Sequence, residues 1–343
     1  MSRFLRACLG QPVDATPVWF MRQAGRYQPE YQKIRKSFSL MEICRRPDVA
    51  AEVTMLPVDQ LGVDAAILFS DIMIPVHEAG VPVEIRPELG PVVDRPIRER
   101  ADVERLRPLV PERDVPYVIE TVRILRRTLA VPLIGFAGGP FTLASYLVEG
   151  RPTRKFQEVK RMMFARPEVW HALMERLCDI VIPFLRAQIE AGAQAVQLFD
   201  SWVGVLSPED YRTFVLPYSR RIFAAVAAPG VPRIHFGVGT GELLTLLRDA
   251  GAEVVGVDWT VPLDEARRRL GPATAVQGNL EPYLLLGPDE LVLERTRDVM
   301  ARAGGRPGHI FNLGHGVIPE TRPDTLRRIV EFVHEYRHER ESA

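Results

Sequence analysis

The sequence predicts an α/β fold of the (β/α)8 barrel class, built as a single domain over residues 1–343. Three observations support this prediction. Eight short apolar runs recur along the chain, stretches with amphipathic helical spacing separate most of them, and 343 residues suit eight such units. Because the runs are apolar almost throughout, they are typical of parallel strands covered on both faces, and their number favours a closed barrel over an open doubly wound sheet.

The predicted strands are each bounded by Gly, Pro or a polar residue. They lie at residues 17–23 (PVWFMRQ), 64–71 (DAAILFSD), 131–139 (VPLIGFAGG), 193–201 (AQAVQLFDS), 231–239 (VPRIHFGVG), 252–259 (AEVVGVDW), 274–280 (TAVQGNL) and 308–316 (GHIFNLGHG). Helical patterns fill most of the gaps. One helix is predicted to begin with Ser207 as N-cap and Pro208 at its first position, and another to begin at Thr240 and end at Gly251.

One segment departs from the alternation of strand and helix. In residues 82–97 (PVEIRPELGPVVDRPI), alternating apolar residues flank a turn predicted at Gly90-Pro91. This pattern indicates a small hairpin inserted after the second strand.

The composition is that of an ordinary globular protein, with 46% apolar residues, 26% charged residues and a formal net charge of +0. Cys8, Cys44 and Cys178 lie far apart, with no CxxC pair and no histidine at ligand spacing, so neither a disulfide framework nor a zinc site is expected. No signal peptide is evident, and no apolar run approaches the ~18 residues of a membrane span. We therefore expect a cytoplasmic protein with no nucleic-acid or membrane partner.

Barrel enzymes build their sites from the loops that leave the carboxyl ends of the strands. In this chain those ends carry Arg22 to Arg26, Ser70-Asp71, Gly138-Gly139-Pro140, Asp200-Ser201, Gly237 to Gly241, Asp258-Trp259, Gly278-Asn279 and Gly314-His315-Gly316. Small glycine-rich turns at five of the eight ends leave room for a large ligand.

Two arginines follow the first predicted strand. Arg22 and Arg26 offer forked, permanently charged donors that suit carboxylate or phosphate, and Arg35 could extend such an anion site. The alternative is a pair of solvated charges on a surface turn, with Arg35 a plain surface residue. Their place at a strand end favours a ligand role for Arg22 and Arg26.

Four further residues at strand ends are candidates, each with a plainer alternative. Asp71 could accept N–H groups of a ligand or cap the next loop, and Tyr146 could reach the ligand or pack in the core. The helix that carries Tyr146 is expected to point its N-terminus at the pocket and favour an anion. Ser201 lacks the surroundings of a nucleophile and is expected to donate hydrogen bonds. His315, between two glycines, is expected in the pocket rather than at a helix cap.

The segment PVWFMRQAGRYQPEY (17–31) resembles the N-terminal signature of the uroporphyrinogen decarboxylase family, and IGFAGGPFTLASYLVEG (134–150) resembles its second signature. FSDI, LFDSW and NLGHG also fall in family order along the chain, so the likeness extends from residue 3 to about residue 340. The MRQAGRY heptad is the most specific of these motifs.

The resemblance implies a homodimeric (β/α)8 enzyme without metal or cofactor. Its reaction would remove CO2 from the four acetate side chains of uroporphyrinogen III, leaving methyl groups in coproporphyrinogen III. The resemblance also implies the substrate-binding or catalytic residues, which are Arg22, Arg26, Asp71, Tyr146, Ser201 and His315, with Arg35 a weaker match. Asp200 stands where relatives often carry Glu, and Trp202 where some carry His, which affects the contacts near Ser201.

The chemistry of such a substrate agrees with these residues. Eight carboxylates need arginines, and four pyrrole N–H groups could converge on the carboxylate of Asp71. A protonated pyrrole serves as its own electron sink, and Asp71 would stabilise that cation. The identity of the proton donor is open: it could be a water or a side chain of the substrate, with the proton relayed by Arg22, Tyr146 or His315. Arg22 is expected beside the carboxylate that leaves, so Asp71, Arg22 and Tyr146 are the catalytic candidates.

Two other functions compete with this interpretation. A zinc-dependent corrinoid or thiol methyltransferase of the same superfamily would need a His-x-Cys on the fifth strand and a late cysteine, but the fifth strand reads IHFGVG, with Gly237 at the cysteine position. A non-catalytic tetrapyrrole-binding protein would keep the arginines without needing a central carboxylate.

Overall fold

Seven short parallel strands form the central sheet. In the computed structural model, which describes residues 1–86 and 89–338, they are β1 (Ala66–Ile67), β4 (Leu133–Gly138), β5 (Ala195–Phe199), β6 (Arg233–Phe236), β7 (Val254–Gly256), β8 (Ala275–Gln277) and β9 (His309–Ile310), paired in that order. Each lies inside one of the predicted runs. Because every pairing is parallel, the carboxyl ends of all seven strands lie at the same end of the sheet.

The first predicted strand lies between the two edges of this sheet. Val18 forms a single parallel bridge with Phe311, just after β9, and the Phe311 N–H donates to the carbonyl of Pro17 at 2.8 Å. On the other side, the N–H of Asp64, just before β1, donates to the carbonyl of Val18 at 2.7 Å. The same segment therefore contacts both edges, so the sheet is curled.

Residues 17–23 do not form the regular strand that was predicted. Three of their backbone donors turn to side chains, since the N–H of Val18 donates to Asp64 Oδ2 at 2.7 Å and that of Met21 to Asn312 Oδ1 at 3.0 Å. The N–H of Phe20 likewise donates to Gln23 Oε1. These side-chain acceptors replace the carbonyl ladder that defines a strand.

Helices connect the strands and cover the outside of the sheet. The helices of the described residues are α1 (Arg3–Cys8), α2 (Pro29–Ser37), α3 (Leu40–Cys44), α4 (Pro47–Leu61), α5 (Ile74–Glu78), α6 (Arg100–Val103), α7 (Pro111–Asp114), α8 (Pro116–Thr128), α9 (Pro140–Glu149), α10 (Gln157–Ala165), α11 (Pro167–Ala191), α12 (Pro208–Phe214), α13 (Leu216–Ala225), α14 (Leu244–Asp249), α15 (Leu263–Leu270), α16 (Asp289–Ala303) and α17 (Pro323–Glu335). Short 3-10 turns lie at Val203–Val205, Gly241–Leu243 and Pro282–Leu286. Within the described ranges, no helix has the length and apolar character needed to cross a membrane.

The predicted start of α12 is confirmed, since the Ser207 hydroxyl accepts from the Asp210 N–H. The helical pattern does not continue unbroken, because α12 ends at Phe214 and α13 begins at Leu216. Pro217 has no N–H to donate to the preceding turn, so a new helix starts there.

The segment predicted as a hairpin contains an antiparallel pair, β2 (Val83–Arg86) and β3 (Gly90–Val93). Gly90 and Pro91 pair with Arg86 and Ile85 and so belong to β3, which corrects the prediction that they form the turn. Residues 87 and 88, between the strands, lie outside the described residues.

A chain of buried polar side chains crosses the interior of the curled sheet. Trp19 Nε1 donates to Gln277 Oε1 at 3.0 Å, and Gln277 Nε2 donates to Gln197 Oε1 at 3.1 Å. Gln197 Nε2 in turn lies 3.7 Å from the sulfur of Met21. Because each amide finds a partner, these groups can be buried without a large desolvation cost, and they tie segment 17–21 to β5 and β8.

Candidate active site

Arg22 lies where the chain leaves segment 17–21, in the left-handed region with a φ of +59°. A non-glycine residue rarely adopts this conformation, which costs about 1 kcal/mol or more and so needs the support of its surroundings. Its aliphatic stem packs on Gly316, where a Cβ would collide with the Arg22 side chain. A segment near the start of the chain therefore packs against one near its end at this point. The guanidinium is exposed and forms no hydrogen bond with the described residues.

Asp71 follows β1 and has a half-buried side chain. Its Oδ1 accepts from the Met73 N–H at 2.8 Å, so one oxygen caps the next turn, as the plainer alternative proposed. No donor among the described residues contacts Oδ2. Burial raises the pKa of Asp71, and the Met73 N–H and the charge of Arg22 partly oppose that rise.

His315 lies in the turn after β9, against the ring of Phe236 at 6.2 Å between centroids. The Gly316 N–H donates to His315 Nδ1 at 2.6 Å, so Nδ1 is the acceptor and Nε2 carries the ring proton. Burial first, and the charge of Arg22 second, lower the pKa of His315 to about 4. The imidazole is therefore neutral near pH 7 and can donate a hydrogen bond through Nε2.

Tyr146 lies on α9, and its ring stacks on Trp202 at 4.1 Å between centroids. Burial raises the pKa of Tyr146, as does the charge of Asp71, while Arg22 opposes the rise. The phenol therefore stays protonated. The sequence suggested that Tyr146 either packs in the core or reaches the ligand. In the structure it packs against Trp202 and also lies in the candidate site.

The charges acting on these groups place four predicted residues together. The charge of Arg22 acts on the pKa of Asp71, of Tyr146 and of His315, so the four groups interact electrostatically. The cluster combines an exposed cation, a carboxylate with one free oxygen, and two neutral groups that can donate hydrogen bonds.

Arg26 and Arg35 belong to a second group around the ring of Tyr31. Both cations lower the pKa of Tyr31, against the larger effect of burial, which raises it. The ring of Tyr31 in turn lies 5.5 Å from that of Phe69, two residues before Asp71. Arg26 is exposed, whereas Arg35 Nη1 donates to the carbonyl of Phe38 at the end of α2. Arg35 is thus partly committed to its own helix.

Asp200 occupies the N-terminus of α9, which the sequence had suggested for a ligand anion. Its Oδ1 accepts from the N–H of Thr142 at 2.9 Å and from the Thr142 hydroxyl at 2.8 Å. This helix end does hold an anionic group, as expected of a helix N-terminus, but the group is an internal carboxylate rather than one from a ligand. Neighbouring Ser201 is half-buried, and its hydroxyl has no partner among the described residues.

The sequence placed Asp200 at a strand end and noted Asp200 and Trp202 as departures from the family pattern, but it gave neither a role and did not single out Phe236. Their roles depend on contacts between separate strand ends, and only the position of Asp200 directly after an apolar strand signalled a buried carboxylate.

The residues described by the structure contain no group of three or more His, Cys, Asp or Glu side chains arranged to hold a metal ion. His235, the histidine of the fifth predicted strand, places Nδ1 3.2 Å from the carbonyl oxygen of Leu247. All three cysteines are buried, and burial raises the pKa of each thiol. The ligand set of the methyltransferase alternative is therefore not assembled here.

Comparison with known proteins gives consistent results. The sequence model of the uroporphyrinogen decarboxylase family matches residues 1–336. The chain is 61% identical over 334 residues to the uroporphyrinogen decarboxylase of Thermobifida fusca, covering 97% of this chain and 92% of the relative. It is 59% identical to that of Streptomyces coelicolor, with 97% and 94% covered. A solved methyltransferase from Methanosarcina mazei superposes with a TM-score of 0.77 over 97% of each chain, and its 20% identity shows a shared fold alone.

Proposed function

The chain belongs to the uroporphyrinogen decarboxylase family, and from this premise we propose which of its residues carry the reaction. It is a carboxy-lyase of haem biosynthesis that acts on uroporphyrinogen. We propose that it converts all four acetate side chains of uroporphyrinogen III to methyl groups, without metal or cofactor. The observation that carries this assignment is the half-buried carboxylate of Asp71, whose Oδ2 has no donor among the described residues and on which the charge of Arg22 acts.

Asp71 binds the centre of the substrate in this proposal. The Met73 N–H fixes Oδ1, so the carboxyl group is oriented before substrate arrives and Oδ2 is available to pyrrole N–H donors. Burial favours the neutral acid in the free enzyme. Pyrrole N–H donors stabilise the carboxylate form, so substrate binding opposes the effect of burial on the pKa of Asp71.

In this reaction the protonated pyrrole ring accepts the electron pair of the bond that breaks. A proton adds to a ring carbon and gives a cation conjugated with the acetate-bearing position. The bond to the carboxylate then breaks, CO2 leaves, and its electron pair neutralises the ring cation. Loss of the added ring proton and protonation of the exocyclic carbon leave a methyl group, with one proton consumed per CO2 released. Asp71 stabilises the cation because its negative charge lies at the ring centre in a site of low dielectric.

Arg22 holds the carboxylate that leaves. A guanidinium is a forked, charged donor that matches a carboxylate, so Arg22 orients this group rather than acting as the acid. Tyr146 and His315, both neutral, donate hydrogen bonds to the substrate or to the water that delivers the proton. Arg26, Arg35 and Ser201 bind outer carboxylates of the same substrate.

The wider architecture belongs to this proposal as well. We propose that segment 17–21, bonded on both sides, closes the curled sheet into an eight-stranded barrel, and that residues 1–343 form one catalytic domain. The enzyme is proposed to work as a homodimer in the cytoplasm.

A turnover assay tests the assignment. Chelator-treated protein is incubated with chemically reduced uroporphyrinogen III in the absence of oxygen, and the oxidised products are separated by chromatography. We expect heptacarboxylate to tetracarboxylate porphyrins, at a rate unchanged by EDTA. Binding without turnover would indicate a tetrapyrrole-binding protein. Stoichiometric zinc, with methyl transfer lost on chelation, would indicate the methyltransferase alternative.

A further inference from the structure

We propose that Asp200 is a positioning residue that holds Tyr146 and Trp202 in a fixed relation beside the pocket, through the hydroxyl of Thr142. The inference rests on the role proposed above for Tyr146. It adds a residue that need not touch the substrate but determines where a substrate-contacting side chain lies.

The contacts form a closed unit. Asp200 Oδ1 accepts both from the Thr142 N–H and from the Thr142 hydroxyl, at 2.9 and 2.8 Å. The same hydroxyl oxygen accepts from the Trp202 N–H at 3.2 Å. Tyr146 lies one helical turn beyond Thr142 on α9, and its ring stacks on Trp202. Helix α9 and the turn after β5 are therefore locked together around one carboxylate.

The backbone is shaped to admit this carboxylate. Gly139 precedes α9, and a Cβ at this position would collide with the Asp200 side chain. The Gly139 N–H also donates to the carbonyl of Phe199 at 2.7 Å, which brings the start of α9 against the end of β5. A glycine is thus required for the close approach itself, independently of backbone conformation.

Stability alone does not account for a carboxylate here. Asp200 has 0% exposure, and its Oδ2 is buried without a partner among the described residues. Burial is the largest effect on the group and raises the pKa of Asp200 to about 6, even though both hydrogen bonds from Thr142 lower it. The fold therefore keeps a carboxyl group whose charge is disfavoured by burial, which is typical of groups retained for function.

The charge strengthens the unit that it holds. Hydrogen bonds to an ionised acceptor are roughly twice as strong as neutral ones, and a carboxylate at a helix N-terminus also interacts favourably with the helix dipole. A neutral acceptor at residue 200 would hold α9 and the Thr142 hydroxyl more loosely, which displaces Tyr146 relative to Trp202.

The test compares T142V with T142S, with decarboxylation as the activity and thermal melts in parallel. T142V removes the hydroxyl at nearly constant shape, and we expect kcat to fall about tenfold with KM within about twofold. T142S keeps the hydroxyl and should restore kcat to within about twofold of the wild-type value. T296V is the matched control, because Thr296 is equally buried and its hydroxyl bonds within α16.

D200N provides a second measurement if T142V does not fold. We expect this variant to melt at a higher temperature than the wild-type protein at pH 8, since a buried charge is removed, and to turn over more slowly. A purely structural Asp200 predicts the opposite, a lower melting temperature with unchanged kcat in the folded protein.

Y146F separates this proposal from the one it rests on. If Thr142 acts through Tyr146, the double variant T142V/Y146F should have the same kcat as Y146F alone. A folded T142V with wild-type kcat would overturn the positioning role. Wild-type kcat in Y146F would instead overturn the role of Tyr146 in the reaction, on which this inference rests.

Discussion

Replacement of Asp71 by Asn should abolish most of the activity while leaving the fold intact. The Asn side chain keeps the size of Asp, and its carbonyl oxygen can still accept from the Met73 N–H that now bonds Oδ1. Because burial disfavours the charge of Asp71, D71N should be at least as stable as the wild-type protein at neutral pH. A large loss of activity would therefore report on function.

The size of the loss follows from the contacts of the free oxygen. In D71N the position of Oδ2 becomes an NH2 group, a donor facing the pyrrole N–H donors of the substrate. Two charge-assisted hydrogen bonds of about 1.5–3 kcal/mol each are lost, together with the negative charge that stabilises the ring cation. A total of about 4 kcal/mol corresponds to a fall of roughly 10³-fold in kcat/KM.

The assay is steady-state decarboxylation under reducing conditions, with a thermal melt of each variant. D71E keeps the charge and should retain measurable activity, and D298N, on the exposed face of α16, is the control for an Asp-to-Asn change away from the site. Near wild-type turnover in D71N would remove Asp71 from the mechanism. Failure of D71N to fold would make the carboxylate a structural group.

Two further predictions concern the rim and the pH dependence. R26A removes an exposed guanidinium that has no partner among the described residues, so KM should rise by roughly 10- to 100-fold, the equivalent of about 1.5–3 kcal/mol, with kcat little changed; a collapse of kcat at constant KM would refute the rim assignment. Burial lowers the pKa of His235, His309 and His315 to about 4, from 6.5. These histidines bind protons in the unfolded chain before they do in the fold, so the contribution of each to stability is present above pH 6.5 and is lost as pH falls towards 4. Urea titrations should show that the free energy of unfolding falls by about 3 kcal/mol per histidine between pH 6.5 and pH 4. In H309Q this fall should be smaller by one such increment. An equal pH dependence in H309Q and the wild-type protein would contradict the shift for His309.

The sequence was sufficient to predict the parallel sheet, and it named the residues that are proposed here for the site. Continuous apolar runs such as 131–139 and 193–201 specify buried parallel strands, since no half-exposed strand would be apolar on both faces. Parallel strands have all their carboxyl ends at the same end of the sheet. Asp71 and His315, which follow two such strands, are therefore expected near each other before any contact is known. The family signatures then named the same residues independently.

Local pattern could not predict how these ends share the pocket. Residues 17–21 look like a strand because their side chains are apolar, but Asp64, Asn312 and Gln23 accept hydrogen bonds from three of their backbone donors. Asp64 and Asn312 come from elements whose approach is set by the whole fold. The prediction of the hairpin turn at Gly90-Pro91 failed similarly, because pairing with β2 places both residues in a strand.

The division of roles among the charged groups depends most on tertiary structure. The sequence shows a helix N-terminus after Gly139 and a carboxylate at Asp200, but only the close packing of the two elements makes one the cap of the other. Likewise, Arg22 meets Gly316 and His315 from the opposite end of the chain. Hydrophobic periodicity is a local property, because the residues of one element determine it. Burial, charge pairing and the resulting pKa values depend on atoms that only the folded chain brings within a few ångströms of one another.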